Sequence, residues 1–254
     1  ALPPSVVDWE PAPALIAGPT GTEDLEHLMA EAIDWLAPGG ALVLEMAPHR
    51  VEAMADRALV ARRPSTEQQA VDVLTGGGVV VLPTDTVYGV AVRADLPGAA
   101  HVLAERKERA EEQPVAVLVA SVAQAEAVGR LPAWARPLVE RHWPGPLTLV
   151  LARRPDLDWD LGEPPATIGV RLPDHPLVRA VAGAVGPLAT TSANRHGEPT
   201  PPTAAEAAAA LTTPPDLVVD GGPCAGVAST VVDATGAAPV ILREGPVTAA
   251  DLGA

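Results

Sequence analysis

Pro83-Thr84-Asp85-Thr86-Val87-Tyr88-Gly89-Val90 follows the run Gly76-Gly77-Gly78-Val79-Val80-Val81-Leu82. Glycines open an apolar, β-branched segment of strand length, and the polar stretch closes it. This reads as a buried strand ending in a turn that carries two hydroxyls, a carboxylate and the chain's only tyrosine. In open α/β sheets, ligands sit beyond the carboxyl ends of strands. A plainer reading is a strand-to-helix turn with Asp85 or Thr86 as the helix cap. This stretch alone leaves both open.

The pattern recurs along the chain. Ser65 or Thr66 can cap a helix from Glu67 to Leu74. A helix from about Pro97 to Arg109 ends in Lys107-Glu108-Arg109, and a strand, Pro114 to Val119, follows. Ser121 to Val128 and Pro132 to Arg141 read as helices. His142-Trp143-Pro144-Gly145-Pro146 is a rigid turn before a strand, Leu147 to Leu151. Thr167 to Arg171 is a strand ending in arginine, and a helix, Leu177 to Val185, comes after it. Leu188 to Thr190 then runs into Thr191-Ser192-Ala193-Asn194-Arg195-His196-Gly197, again a strand entering a hydroxyl-and-amide turn. Thr203 to Leu211 is an alanine-rich helix. Strands at Leu217 to Val219, Ser229 to Asp233 and Val240 to Leu242 close the pattern, the last followed by Arg243.

Polar or cationic residues thus stand at the strand ends: Thr84, Lys107 and Arg109, Arg171, Ser192 and Asn194, Ser229, and Arg243. Converging on one concavity, they would form an anion-binding pocket, because guanidinium groups take carboxylates and phosphates bidentately. Each has an ordinary alternative. Lys107 and Arg109 suit a solvated helix C-terminus and Arg171 a rim salt bridge; Trp143 reads as a core or lid aromatic rather than a base-stacking platform. No Gly-x-x-x-x-Gly-Lys-Ser/Thr loop is present, so this is no P-loop. The six histidines are scattered without metal-ligand spacing. Ser192 and His196 lack the nucleophile-elbow sequence Gly-x-Ser-x-Gly.

Composition narrows the classes. The 254 residues are 48% hydrophobic with mean hydropathy +0.19, which fits a globular protein. A net charge of -15 argues against broad nonspecific nucleic-acid binding, which depends on phosphate neutralisation. It leaves room for a local basic pocket. No apolar run approaches the roughly 20 residues of a membrane span, and no basic segment with an apolar core marks a signal peptide. Cys224 is the sole cysteine, which rules out an intramolecular disulfide and a thiolate cluster. These features predict a cytoplasmic protein.

Residues 1–62 differ, with ten acidic residues against three arginines. Thr22 to Leu36 is an amphipathic helix with Leu25, Leu28, Met29, Ile33 and Leu36 on one face. Pro38-Gly39-Gly40 ends it before an apolar strand, Ala41 to Met46. Asp8-Trp9-Glu10-Pro11, Gly18-Pro19-Thr20-Gly21, Leu36-Ala37-Pro38-Gly39-Gly40 and Leu44-Glu45 resemble the C-terminal third of the release-factor glutamine methyltransferases. Their Asn-Pro-Pro-Tyr motif and glycine-rich S-adenosylmethionine loop are missing from this sequence, so this segment is expected to be non-catalytic. Residues 63–254 form the second predicted domain.

From about 65 to 250 the motifs resemble, in order, the YrdC-like family of threonylcarbamoyl-AMP synthases. They are Pro83 to Gly89, Lys107-Glu108-Arg109 with Pro114, Trp143 to Thr148, Gly169 to Pro173, Thr191 to Asn194, Ser229 to Asp233 and Leu242 to Gly245. The resemblance implies a twisted, open, mixed α/β sheet with a basic concave face, here with a small N-terminal α/β appendage. It implies a nucleotidyltransferase that makes threonylcarbamoyl-AMP and pyrophosphate from L-threonine, bicarbonate and ATP with Mg²⁺. A partner transferase would carry the threonylcarbamoyl group to adenosine 37 of tRNA. By similarity, Lys107 and Arg109 are catalytic and bind ATP together with Thr167, Asn194 and Arg243. Thr84, Arg171, Ser192 and Ser229 would hold L-threonine. No tightly bound cofactor or resident metal is expected, and direct tRNA binding is weak or left open. The sequence departs from the family at Ala110, Gln113 and His196, which replace a Pro, a Lys and a Ser; loss of that Lys removes a cation near the phosphates. The competing reading is a non-enzymatic RNA- or nucleotide-binding module of the same fold.

Overall fold

The computed structural model describes residues 66–107, 114–163, 166–195 and 197–252. The expectations for residues 1–62, and those for Arg109, Ala110, Gln113 and His196, lie outside the described residues. The first element is helix α1 (Thr66–Thr75). Gly77, at φ 81°, turns the chain out of it in the left-handed region that glycine adopts freely.

Strands β1 (Val80–Leu82) and β2 (Gly89–Arg93) then pair antiparallel, Val80 opposite Ala91 and Leu82 opposite Gly89. The stretch Pro83 to Tyr88 is therefore the loop of a hairpin and not a strand-to-helix turn. The reason is local. Thr84 Oγ1 accepts from the backbone N–H of Thr86 and of Val87, each at 3.1 Å, and donates to the Val87 carbonyl at 2.7 Å. A threonine side chain that occupies these backbone groups folds the turn back on itself and offers no helix start.

The remaining elements follow the sequence pattern closely. Helix α2 (Ala99–Glu105) stops short of the predicted Arg109, so Lys107 lies just past its end. Next come β3 (Ala116–Leu118), α3 (Val122–Val128) and a two-residue strand, β4 (Gly129–Arg130), that the sequence pattern did not mark. Ser121 caps α3 by accepting from the Gln124 N–H. A 3₁₀ turn leads into α4 (Arg136–His142), then β5 (Leu147–Arg153) and β6 (Thr167–Arg171). Helix α5 (Pro176–Val185), β7 (Leu188–Ser192) and α6 (Ala204–Ala209) follow. Strands β8 (Leu217–Val218), β9 (Thr230–Asp233) and β10 (Val240–Arg243) and helix α7 (Ala249–Leu252) complete the described chain.

These strands form one mixed sheet in the order β10-β9-β5-β6-β3-β7-β2-β1-β8, with β4 beside β5. Pairs β1–β8, β3–β6 and β5–β9 are parallel and the others antiparallel. The sheet ends at β10 and β8 and does not close. Among the described residues no helix is long and apolar enough to cross a membrane.

The two-residue period of a strand decides what lies on each face. Val81, Val90, Val92, Val117, Leu149, Leu151, Ile168, Val170 and Val232 turn toward one core, packed with residues of α2, α3, α4, α6 and α7. Val80, Leu82, Ala91, Leu118 and Leu188 turn to the other side, where Ala70 and Leu74 of α1 and Val178, Val181 and Ala182 of α5 cover them. These two helices cover only part of that face. The rest of it, continuing along β3, β5, β6, β7 and β9, is the floor of a cavity.

After β10 the backbone passes close against the start of β9. A Cβ on Gly245 would lie 2.5 Å from both the Ala228 carbonyl oxygen and the Thr230 nitrogen. Both are backbone atoms that cannot swing away. Gly245→Ala is expected to lose about 1–3 kcal/mol of stability by overpacking, read as a lower midpoint in urea unfolding. An unchanged midpoint would mean that this approach is looser than described.

Candidate active site

The cavity has a volume of about 590 Å³. Its lining includes Thr84, Lys107, Thr167, Arg171, Ser192, Asn194, Ser229 and Arg243, every predicted site residue among the described ones. Three of these are cations, brought together from the end of α2, the end of β6 and the end of β10.

Arg171 is 5% exposed. Its Nε donates to the Gly145 carbonyl at 3.0 Å, one terminal nitrogen to Thr86 Oγ1 at 2.7 Å, and the other to Asp85 Oδ1 at 2.5 Å. Burial pushes its pKa down and the Asp85 carboxylate pulls it back up. A guanidinium has five N–H groups, so these three bonds leave two for an anion in the cavity. The ordinary alternative, a salt bridge, is present, but as a buried pair and not at a rim. Arg171 lines the cavity, whereas Asp85 holds it from outside the lining.

Lys107 is 4% exposed. Its ammonium donates to the Ser192 carbonyl at 2.6 Å and to Asn194 Oδ1 at 2.9 Å, with Ser192 Oγ at 3.3 Å and Thr191 Oγ1 at 3.4 Å. It pins the turn after β7. Asn194 completes that turn: Oδ1 also accepts from Ser192 Oγ, and Nδ2 donates to the Arg195 and Glu198 carbonyls. Both ends of the Asn194 amide therefore shape the loop, as the Thr84 hydroxyl does in the hairpin. Thr167 opens β6 on the cavity side.

Arg243 donates through Nε and a terminal nitrogen to the Ser229 carbonyl, at 3.1 and 2.8 Å, and reaches Ser229 Oγ at 3.2 Å. Burial lowers its pKa first, and the nearby charge of Arg171 lowers it further. The two guanidinium groups thus share one electrostatic field, which favours an anion near both.

Several contributors escaped the sequence reading. The sequence offers Asp85 and Thr86 only as helix caps, whereas they are the side-chain partners of Arg171. Thr148 and Gly169 stand in quoted motifs and line the floor, as does Asp233. The available signal was strand parity: residues two apart from Arg171 on β6, and from Val150 on β5, must share the cavity face. Trp143 is a core residue, with Nε1 donating to the Leu147 carbonyl at 2.7 Å. Cys224 points its sulfur at the Thr84 carbonyl, and burial raises its pKa, which disfavours a reactive thiolate.

Comparison with known proteins gives a consistent picture. The Sua5/YciO/YrdC profile, described as Telomere recombination, matches residues 72–245. A protein of Mycobacterium tuberculosis with the provisional name of threonylcarbamoyl-AMP synthase is 42% identical over 181 residues, covering 70% of this chain and 83% of that protein. The threonylcarbamoyl-AMP synthase of Bacillus subtilis is 39% identical over 184 residues, covering 71% of this chain and 53% of that protein. The crystal structure of Pyrococcus abyssi Sua5 complexed with L-threonine superposes with a TM-score of 0.67 at 34% identity, covering 71% of this chain and 54% of that one. The chain spans most of the mycobacterial relative and about half the length of the other two.

Asp85→Ala would leave Arg171 as a buried cation without its counter-charge. Removing one partner of such a pair is expected to destabilise the fold by about 3 kcal/mol, measured by chemical denaturation. Asp85→Glu should recover part of the loss, and a loss below 1 kcal/mol for Asp85→Ala would contradict the partnership.

Proposed function

The chain belongs to the Sua5/YciO/YrdC family, and from that premise we propose that it is an L-threonylcarbamoyladenylate synthase. The observation that carries this reading is the gathering of Lys107, Arg171 and Arg243, with hydroxyls and backbone carbonyls around them, in one cavity of an acidic protein. Its relatives named as threonylcarbamoyl-AMP synthases support the assignment.

The chemistry suits such a site. Threonine's amine attacks the carbon of bicarbonate, a C–N bond forms, water leaves, and the product is a carbamate. A carbamate oxygen then attacks the α-phosphorus of ATP in line; the bond to the β-phosphate oxygen breaks and pyrophosphate leaves. Both reactants are anions, so the catalyst's main task is to hold them together against their repulsion. In this reading Arg171 clamps threonine's carboxylate through its two remaining N–H groups. Ser192 and Ser229 surround the polar atoms of the amino acid, and Thr84 holds the hairpin wall beside them. Lys107 supplies positive charge for the phosphates, a task that similarity also gives to Arg109, while Thr167 and Arg243 hold the nucleotide. Asn194 contributes to the nucleotide site by fixing the loop. Mg²⁺ enters with ATP as part of the substrate, on phosphate oxygens, as is usual for this ion. Among the described residues no group of three or more His, Cys, Asp or Glu gathers to hold a metal.

The product is a reactive mixed anhydride, consumed by a transferase acting on tRNA. Residues 1–62, in the same reading, are a methyltransferase-like fragment without catalytic function. Calorimetry with S-adenosylmethionine is expected to show no binding, and a measurable heat of binding would reverse that assignment.

The deciding assay is pyrophosphate release from ATP, with L-threonine and bicarbonate omitted in turn. Release should need both, and L-serine should serve poorly. Lys107→Ala should lower turnover about 100-fold, the scale of losing one preorganised charge-stabilising donor. Release by that variant at the wild-type rate would refute its role. Salt-dependent tRNA binding by a protein that shows no threonine-dependent release would favour a binding module.

A further inference from the structure

Thr148 is a polar residue at the centre of the cavity floor, and no step above uses it. It is 5% exposed, on β5, where its neighbours Leu147 and Leu149 turn to the opposite core. Register places it in a cross-strand row. Leu149 pairs with Val170, so Thr148 lies beside Arg171 on β6. Thr148 pairs with Val231 on β9, and Val231 pairs with Arg243 on β10. The two guanidinium groups thus stand on either side of Thr148 in one row.

Thr148 Oγ1 and Ser229 Oγ are 2.8 Å apart, and Arg243 donates to Ser229 Oγ at 3.2 Å. The two hydroxyls carry two hydrogens between them. One is used in their mutual bond. The Arg243 N–H occupies an acceptor position on Ser229, which favours Ser229 donating to Thr148 and leaves the Thr148 hydrogen to point elsewhere. No other hydrogen bond of Thr148 is formed among the described residues. A buried O–H without an acceptor is unfavourable, and the space beside it lies in the field of two cations.

We propose that Thr148 is a further substrate-binding residue: anchored by Ser229 and Arg243, it donates its O–H to an anionic oxygen of the ligand held between Arg171 and Arg243. Carboxylate and phosphoryl oxygens share this chemistry, and only their identity as threonine or nucleotide rests on the synthase reading.

The test uses the full chain with Thr148→Val, which removes the hydroxyl and keeps the branched shape, and Thr148→Ser, which keeps the hydroxyl. Thr148→Ala serves if the valine variant does not fold. Calorimetry with L-threonine and with AMP, and pyrophosphate-release kinetics, are read for each. Thr148→Val should weaken one ligand roughly tenfold or more, the scale of one charge-assisted hydrogen bond, with its unfolding midpoint retained, and Thr148→Ser should bind as the wild type does. A packing role would give the reverse order. A rise in KM for L-threonine identifies the carboxylate, and a rise for ATP identifies the phosphoryl group. Wild-type binding of both ligands by Thr148→Val overturns the proposal. A wild type that releases no pyrophosphate but binds AMP ends the synthase reading, and the AMP arm still decides Thr148. A wild type that binds neither ligand ends both.

Discussion

A cation withdrawn from water needs oxygen to face, and this site is built around that demand. Arg171 faces a carboxylate, which Asp85 supplies from behind the cavity wall. Described contacts of Lys107 and Arg243 run to backbone carbonyls, hydroxyls and an amide oxygen. Neutral acceptors satisfy the hydrogens without cancelling the charge. A fully neutralised pocket would bind no anion, and an unpartnered one would not fold. The Ser192 and Ser229 carbonyls resolve that conflict with atoms every peptide carries.

The sheet supplies the place for this arrangement. Alternation along β3, β5, β6 and β7 sends every second side chain to a core packed with residues of five helices. The other set lies beneath α1 and α5 at one end of the face and under open space at the other. The same parity that buries Leu118 and Leu188 carries Ala116, Thr190 and Ser192 into the cavity. Stability and site are thus two ends of one sheet face. A register slip of one residue would exchange apolar core and polar floor together.

Most of this was legible in the chain because strand ends announce themselves. Thr167 to Arg171 has the predicted bounds, and the cationic and hydroxyl residues after the apolar runs do gather. Four features were not legible. The hairpin at Pro83 to Tyr88 turned on where the Thr84 hydroxyl would bond, and its spacing fits a helix start equally well. The partnership of Asp85 with Arg171 joins residues 86 apart in sequence, which no local pattern encodes. Thr148 sat inside a run that reads as an apolar strand, and its exposure to the cavity depends on which strands flank β5. Strand β4 is two residues long, too short to show a period.

The charge that the site keeps inside stands against the charge of the whole chain, -15 at neutral pH. To a distant polyphosphate a chain of that net charge is on balance repulsive, whereas the cavity gathers three cations. Ionic strength therefore works in opposite senses at two ranges. Salt shortens the Debye length to about 10 Å at 0.1 M, which hides the acidic exterior from an approaching anion. The buried cations, shielded from mobile ions, keep most of their pull. Capture is then fastest at moderate salt rather than in dilute buffer, the reverse of an enzyme whose whole surface steers its substrate inward.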